Sequence, residues 1–157
     1  MNNRLKYLGY SIVFQEVPDE VTLAINISGC PHKCEGCHSK YLWEYEGDYL
    51  SDDLLYLINK YHGLITCVCF MGGDQNMEEL QIATTLAKHA GLKVALYSGS
   101  SEIEIDSLAL PLDYIKIGAY DKNLGGLDSP TTNQRMYQYI DCQWKDITYK
   151  FWKEVIS

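Results

Sequence analysis

No apolar run in this chain approaches the roughly 20 residues needed to cross a bilayer. The opening stretch MNNRLKYLGYS carries none of the apolar core that marks a signal peptide. Both absences make a cytoplasmic protein, with no membrane partner, the expectation. Positive charge is also scarce: 13 Lys and Arg stand against 21 Asp and Glu, for a net charge of −8. Nucleic acid binding rests on basic side chains neutralising phosphates, so this balance argues against nucleic acid as the main partner and is compatible with a protein one. Repeats, low-complexity tracts and linker-like stretches are missing too. The 157 residues therefore read as one domain, 1–157, long enough for a single core.

Cysteine is what the chain does have, six in all. Without an export signal they do not read as a disulfide framework, because the cytosol keeps thiols reduced. Metal ligation or redox chemistry is the better account. Cys30, Cys34 and Cys37 stand in a C-x3-C-x2-C spacing inside the turn-rich stretch SGCPHKCEGCHSK.

The segment EVTLAINIS leads into that stretch. Val21, Leu23, Ile25 and Ile27 alternate with Thr22, Ala24 and Asn26, the period of a strand ending at Ser28-Gly29. Upstream, YSIVFQEVPDE predicts a shorter strand that turns at Pro18-Asp19. Downstream, SDDLLYLINKYHG predicts a helix with Ser51 as N-cap and with Leu54, Leu55, Ile58 and Tyr61 on one face. LITCVCFM is an apolar run typical of a buried parallel strand, stopping at Gly72-Gly73. NMEELQIATTLAKHAG predicts a second helix, with Leu80, Ala83 or Thr84, Ala87 and Ala90 on one side and Gly91 as its stop. LKVALYSGS and LDYIKIGAY predict further strands, SSEIEIDSLAL one short helix, and DCQWKDITYKFW a late strand.

Alternation of this kind implies an α/β fold with mostly parallel strands. The units are too few for a closed eight-stranded barrel of about 250 residues, so the expectation is an open, partial (β/α) barrel. Ligands of such sheets bind beyond the carboxyl ends of the strands. Cys30, Gly72-Gly73-Asp74 and Ser98-Gly99 should gather there.

Three thiolates suit zinc, copper(I) or an iron–sulfur cluster. Zinc needs a fourth ligand to close its tetrahedron, and His32 or His38 is at hand. In a cubane cluster three cysteines leave one iron open, and a small molecule with an amino and a carboxylate group can chelate it. Plain surface cysteines are the third alternative.

These residues resemble the radical S-adenosylmethionine superfamily, and within it the branch that activates anaerobic ribonucleoside-triphosphate reductase. C-x3-C-x2-C carries the first likeness; Gly36 before the third cysteine and Trp43 in CHSKYLWEYEGD narrow it. FMGGDQ is similar to the superfamily's Gly-Gly-acid motif, and LDYIKIGAYDKNLGGLDSPTTNQRMY, especially Asp128 to Arg135, is similar to the branch. The likeness runs from about Gly29 to Arg135.

The resemblance implies a partial barrel of the radical S-adenosylmethionine type with a [4Fe-4S] cluster on Cys30, Cys34 and Cys37. It implies S-adenosylmethionine as the second cofactor, split by one electron to methionine and a 5′-deoxyadenosyl radical. Gly72, Gly73 and Asp74 are then expected at its amino group, Gly36, Cys37 and His38 at its adenine, and Ser98 at its ribose or carboxylate. Gly36 departs from the aromatic residue that many members place before the third cysteine, which leaves the adenine contact to backbone or His38. The implied partners are an anaerobic ribonucleoside-triphosphate reductase that receives a glycyl radical, and an electron donor such as reduced flavodoxin or ferredoxin.

Within the same superfamily the alternatives are activation of another glycyl-radical enzyme and a small-molecule reaction. Outside it the alternative is a non-enzymatic Cys3His zinc loop. The Gly-Gly-Asp turn also reads as a plain strand-to-helix turn capped by Asp74. Cys67 and Cys69 read as small core hydrophobes, Cys142 stands alone, and His62 and His89 complement helix ends. Lys116 reads as a snorkelling surface lysine. For DSPTTNQR, anion binding, docking and local backbone capping all stay open.

Overall fold

The computed structural model describes residues 4–29, 44–73, 75–100 and 110–152. Cys30, Cys34, Gly36, Cys37, His38, Asp74 and most of the expected short helix in SSEIEIDSLAL lie outside them. The elements run β1 (Lys6–Val13), β2 (Thr22–Ile27), β3 (Asp48–Tyr49), α1 (Leu50–Lys60), β4 (Cys67–Met71) and α2 (Met77–His89). They continue with β5 (Lys93–Tyr97), β6 (Tyr114–Ile117), β7 (Arg135–Ile140), β8 (Gln143–Asp146) and a 3₁₀ turn at Thr148–Phe151.

All eight strands join one sheet in the order β3-β1-β2-β4-β5-β6-β7-β8. The centre, β2-β4-β5-β6, is parallel. The flanks are antiparallel, β1 to both β2 and β3 on one side and β6-β7-β8 on the other. The sheet is therefore mixed rather than mostly parallel. Connection length explains the difference. A parallel pair needs a long crossover, and α1 and α2 supply two of them, whereas β1 reaches β2 through residues 14–21 without a helix and β7 reaches β8 by a two-residue turn. The β7–β8 turn at Asp141-Cys142 has φ of 52° and 63°, the left-handed geometry that matches hairpin twist.

Alternation along β2 holds as read. Leu23, Ile25 and Ile27 join Val68, Phe70, Val94, Leu96 and Ile115 on the face packed against α1 and α2. Phe70 is fully buried there, worth about 1.5–3 kcal/mol of transfer free energy. The second face is smaller: Cys67, Cys69, Ala95, Tyr114 and Met136, closed by Val17 from the β1–β2 connection and Ile147 after β8. That connection is held by the Tyr97 hydroxyl, which donates to the carbonyl of Glu16.

Several local expectations shift. Helix α1 starts two residues earlier, with Tyr49 as an N-cap that makes no side-chain cap bond. Ser51 instead accepts from Arg4 over 2.6 Å. Leu54, Leu57 and Ile58 form the buried stripe, and Leu55 is exposed. Helix α2 is capped by Asn76 rather than Asp74, its side chain accepting from the Glu79 amide over 3.1 Å. The late strand stops at Asp146, and the 3₁₀ turn leaves Tyr149 exposed. Among the described residues no helix is long and apolar enough to cross a membrane.

Candidate functional site at the carboxyl ends of the parallel strands

Parallel register fixes one rim. Asn26 pairs with Met71, Met71 with Tyr97 and Tyr97 with Lys116, so β2, β4, β5 and β6 end in a row. Beyond that row stand Ser28-Gly29, Gly72-Gly73, Ser98 and Gly118. The expected gathering of turns at one end is therefore present for every described member.

Ser28 is the hub. It is fully buried, and its amide donates to the Lys6 carbonyl over 2.9 Å. Its hydroxyl donates to the Glu46 carbonyl over 2.5 Å and accepts the Glu46 amide over 3.2 Å. One residue on, the Gly29 amide donates to the Glu44 carbonyl over 3.0 Å. Residues 30–43, which hold all three cysteines of the C-x3-C-x2-C spacing, thus leave and rejoin the sheet at a single neck. Gln75 ties this neck to the glycine turn, its Nε2 donating to the Ser28 carbonyl over 3.0 Å.

The turn after β4 needs its glycines. Gly72 and Gly73 have φ of 104° and 108°, a region closed to most side chains. A Cβ on Gly73 would sit 3.2 Å from Leu80 Cδ1. Backbone is therefore bare at this rim, and the Gly72 amide is held by the Tyr97 carbonyl over 2.9 Å.

Ser98 is fully buried and its hydroxyl accepts the Ser100 amide over 3.1 Å, closing its own turn. Lys116 corrects the surface reading. Only 8% exposed, it donates from Nζ to the carbonyls of Ser98 and Gly118, both over 3.1 Å. A fixed cation thus sits under the rim.

DSPTTNQR resolves into backbone capping. The Thr131 hydroxyl donates to the Leu124 carbonyl, that of Thr132 to Gly125, and the Asn133 amide to Ala119. Gln134 donates to the Gly118 carbonyl over 3.2 Å.

Cys67 and Cys69 are sealed in the second face. Burial pushes the Cys67 thiol up to about 12 and holds Cys69 well above its ordinary value. Both behave as small core hydrophobes among apolar neighbours. Cys142 is exposed, at the far turn between β7 and β8. Among the described residues no three His, Cys, Asp or Glu are grouped to hold a metal.

The family described as "4Fe-4S single cluster domain" matches residues 20–110, the cysteine loop and the parallel strands around it. The chain belongs to this family. Its similarity extends to the anaerobic ribonucleoside-triphosphate reductase-activating protein of Enterobacteria phage T4, at 29% identity over 135 residues, covering 76% of this chain and 85% of that protein. The expected resemblance to activating proteins of anaerobic ribonucleoside-triphosphate reductase is borne out by this relative. No solved structure matches the chain.

The residues of this family member fit an iron–sulfur group. Thiolates are the ligands such groups use, and three of them share one necked loop. Sequence reading missed two residues of this rim. Gln75 was marked only by its place after the glycine turn, and the role of Lys116 follows from strand register rather than from composition.

Proposed function

We propose that the chain is a radical S-adenosylmethionine activase that forms a glycyl radical on an anaerobic, class III ribonucleoside-triphosphate reductase. The observation that carries this reading is the division of the cysteines. Five fall within the matched residues 20–110. Cys67 and Cys69 lie in the apolar second face of the sheet, while the C-x3-C-x2-C spacing and the resemblance it carries point to Cys30, Cys34 and Cys37 as ligands of the [4Fe-4S] cluster, one iron staying open. The phage T4 relative, named for reductase activation, supports the choice of partner.

When bound, the cluster and S-adenosylmethionine supply one-electron cleavage of the sulfonium and removal of hydrogen from a glycine Cα of the partner. The protein's share is placement. Gly72 and Gly73 offer bare backbone, and Asp74 an anionic side chain, to the amino group of S-adenosylmethionine. As the resemblance implies, Gly36, Cys37 and His38 would hold its adenine, and Ser98, in the turn after β5, would serve its ribose or carboxylate. The parallel strands supply the wall of an open partial barrel of the radical S-adenosylmethionine type. The reducing electron comes from a small donor such as reduced flavodoxin or ferredoxin.

The test is an anaerobic reconstitution with iron and sulfide. The expected sample is brown and, once reduced, releases 5′-deoxyadenosine from S-adenosylmethionine and places a radical on the reductase. Cys34→Ala should lose iron and cleavage together; Asp74→Ala should keep the colour and bind S-adenosylmethionine more weakly. A colourless protein with one zinc per chain would replace this reading with the zinc loop.

A further inference from the structure

The glycine turn after β4 and the cysteine loop after β2 are neighbours by register, since Asn26 pairs with Met71 at the last step of the two strands. Register alone fixes strand ends, not the turns beyond them. Each turn has its own backbone bonds, and the two are tied to each other by the Gln75 side chain, which reaches from two residues past Gly73 to the Ser28 carbonyl, two residues before Cys30.

Ser28 is a rigid anchor for this bond. Its amide and hydroxyl are already bound to Lys6 and Glu46. Its carbonyl cannot move without breaking those contacts. Gln75 by contrast is exposed and packs into no core, so the fold does not need its side chain for burial. An exposed amide spanning two turns at a rim sets their separation.

We propose that Gln75 is a positioning residue. By holding the glycine turn against the neck of the cysteine loop, it sets the distance between the group that receives the amino end of S-adenosylmethionine and the open iron that the same ligand chelates. The inference rests on the function proposed above and adds to it a residue outside the Gly-Gly-Asp motif. A ligand that must touch both parts at once binds best when their spacing is set beforehand.

The experiment uses the full chain, reconstituted anaerobically, as wild type, Gln75→Met and Gln75→Glu. Methionine keeps the volume and removes the donor; glutamate turns an anion toward the carbonyl. Iron per chain and the electron paramagnetic resonance spectrum of the reduced cluster are recorded first without S-adenosylmethionine, then along a titration with it. Iron content and the ligand-free spectrum should match wild type. The concentration giving half of the spectral change should rise about tenfold for Gln75→Met, one hydrogen bond's worth, and further for Gln75→Glu.

A wild-type response with both variants titrating at the wild-type concentration would overturn the role of Gln75 and leave the proposed function standing. Loss of iron in the variants would overturn it as well, making the residue a support of the cysteine loop. No spectral response in wild type would instead remove the S-adenosylmethionine reading, and this inference with it.

Discussion

The ammonium of Lys116 lies 3.1 Å from the carbonyl of Ser98 and 3.1 Å from that of Gly118, so one buried cation ties the turns that follow β5 and β6. Charged hydrogen bonds of this kind are stronger than neutral ones, and the Gly118 carbonyl takes a second, neutral one from Gln134.

Lys116→Met should keep the buried stem, remove the ammonium from the Ser98 carbonyl and leave the Gly118 carbonyl to Gln134. We expect a loss of about 1–3 kcal/mol of stability, the usual penalty for buried groups left unsatisfied. Urea unfolding gives the number. A variant as stable as wild type would mean that burying the charge cancels the gain from its bonds.

Alkaline pH should weaken the fold early. A thiol whose folded pKa lies above its unfolded value keeps its proton in the folded state. That contribution is whole below about pH 9 and is lost as pH rises toward about 12, the value to which burial pushes Cys67. Cys69 is displaced in the same direction, as are the Tyr97 and Tyr114 hydroxyls. Each such group should cost roughly 1.4 kcal/mol per pH unit in that window. Urea midpoints taken from pH 8 to 11 should fall, and the slope should flatten in Cys67→Ala/Cys69→Ala. Iron content of that double variant should equal wild type.

Gly73→Ala puts a side chain at φ 108° and 3.2 Å from Leu80 Cδ1. Backbone strain of this sort costs on the order of 1–3 kcal/mol. Thermal unfolding should show the loss, and S-adenosylmethionine affinity should fall while iron is retained. An unchanged affinity would remove the glycine turn from the binding site.

Thr132→Val removes the hydroxyl that donates to Gly125 and accepts the Gln134 amide over 3.0 Å. About 1–2 kcal/mol of stability should go with it. Calorimetric titration with S-adenosylmethionine should be unaffected. A selective loss of binding would restore a ligand role to DSPTTNQR.

Much of this was readable beforehand where one physical signal dominated. The alternation of Leu23, Ile25 and Ile27 reports a face buried against helices, and Gly91 marks the end of α2 because stop chemistry is local. Cys67 and Cys69 fit an apolar run and are buried in it. The flanks were harder. β7 is rich in half-buried tyrosine and glutamine, so its pattern is weak, and its pairing with β8 depends on a turn whose residues, Asp141 and Cys142, are not the usual glycine. Leu55 sits next to the buried stripe of α1 and is exposed only because of where α2 packs. Lys116 looked like a surface lysine because nothing in its neighbours tells which carbonyls the sheet will bring beside it. The same holds for Ser28 and Gln75, whose partners are 47 positions apart in the chain.

The Gly29–Glu44 bond has a consequence for metal loading. Residues 30–43 form a ring whose ends are set by β2 and by the strand leading into α1, so the entropy of closing that ring is charged to the sheet and not to whatever the cysteines hold. Small metal domains that fold only around their ion must close such a ring at the moment of capture. Here the loop ends are held by the sheet, and stripping the metal should leave the strand core standing.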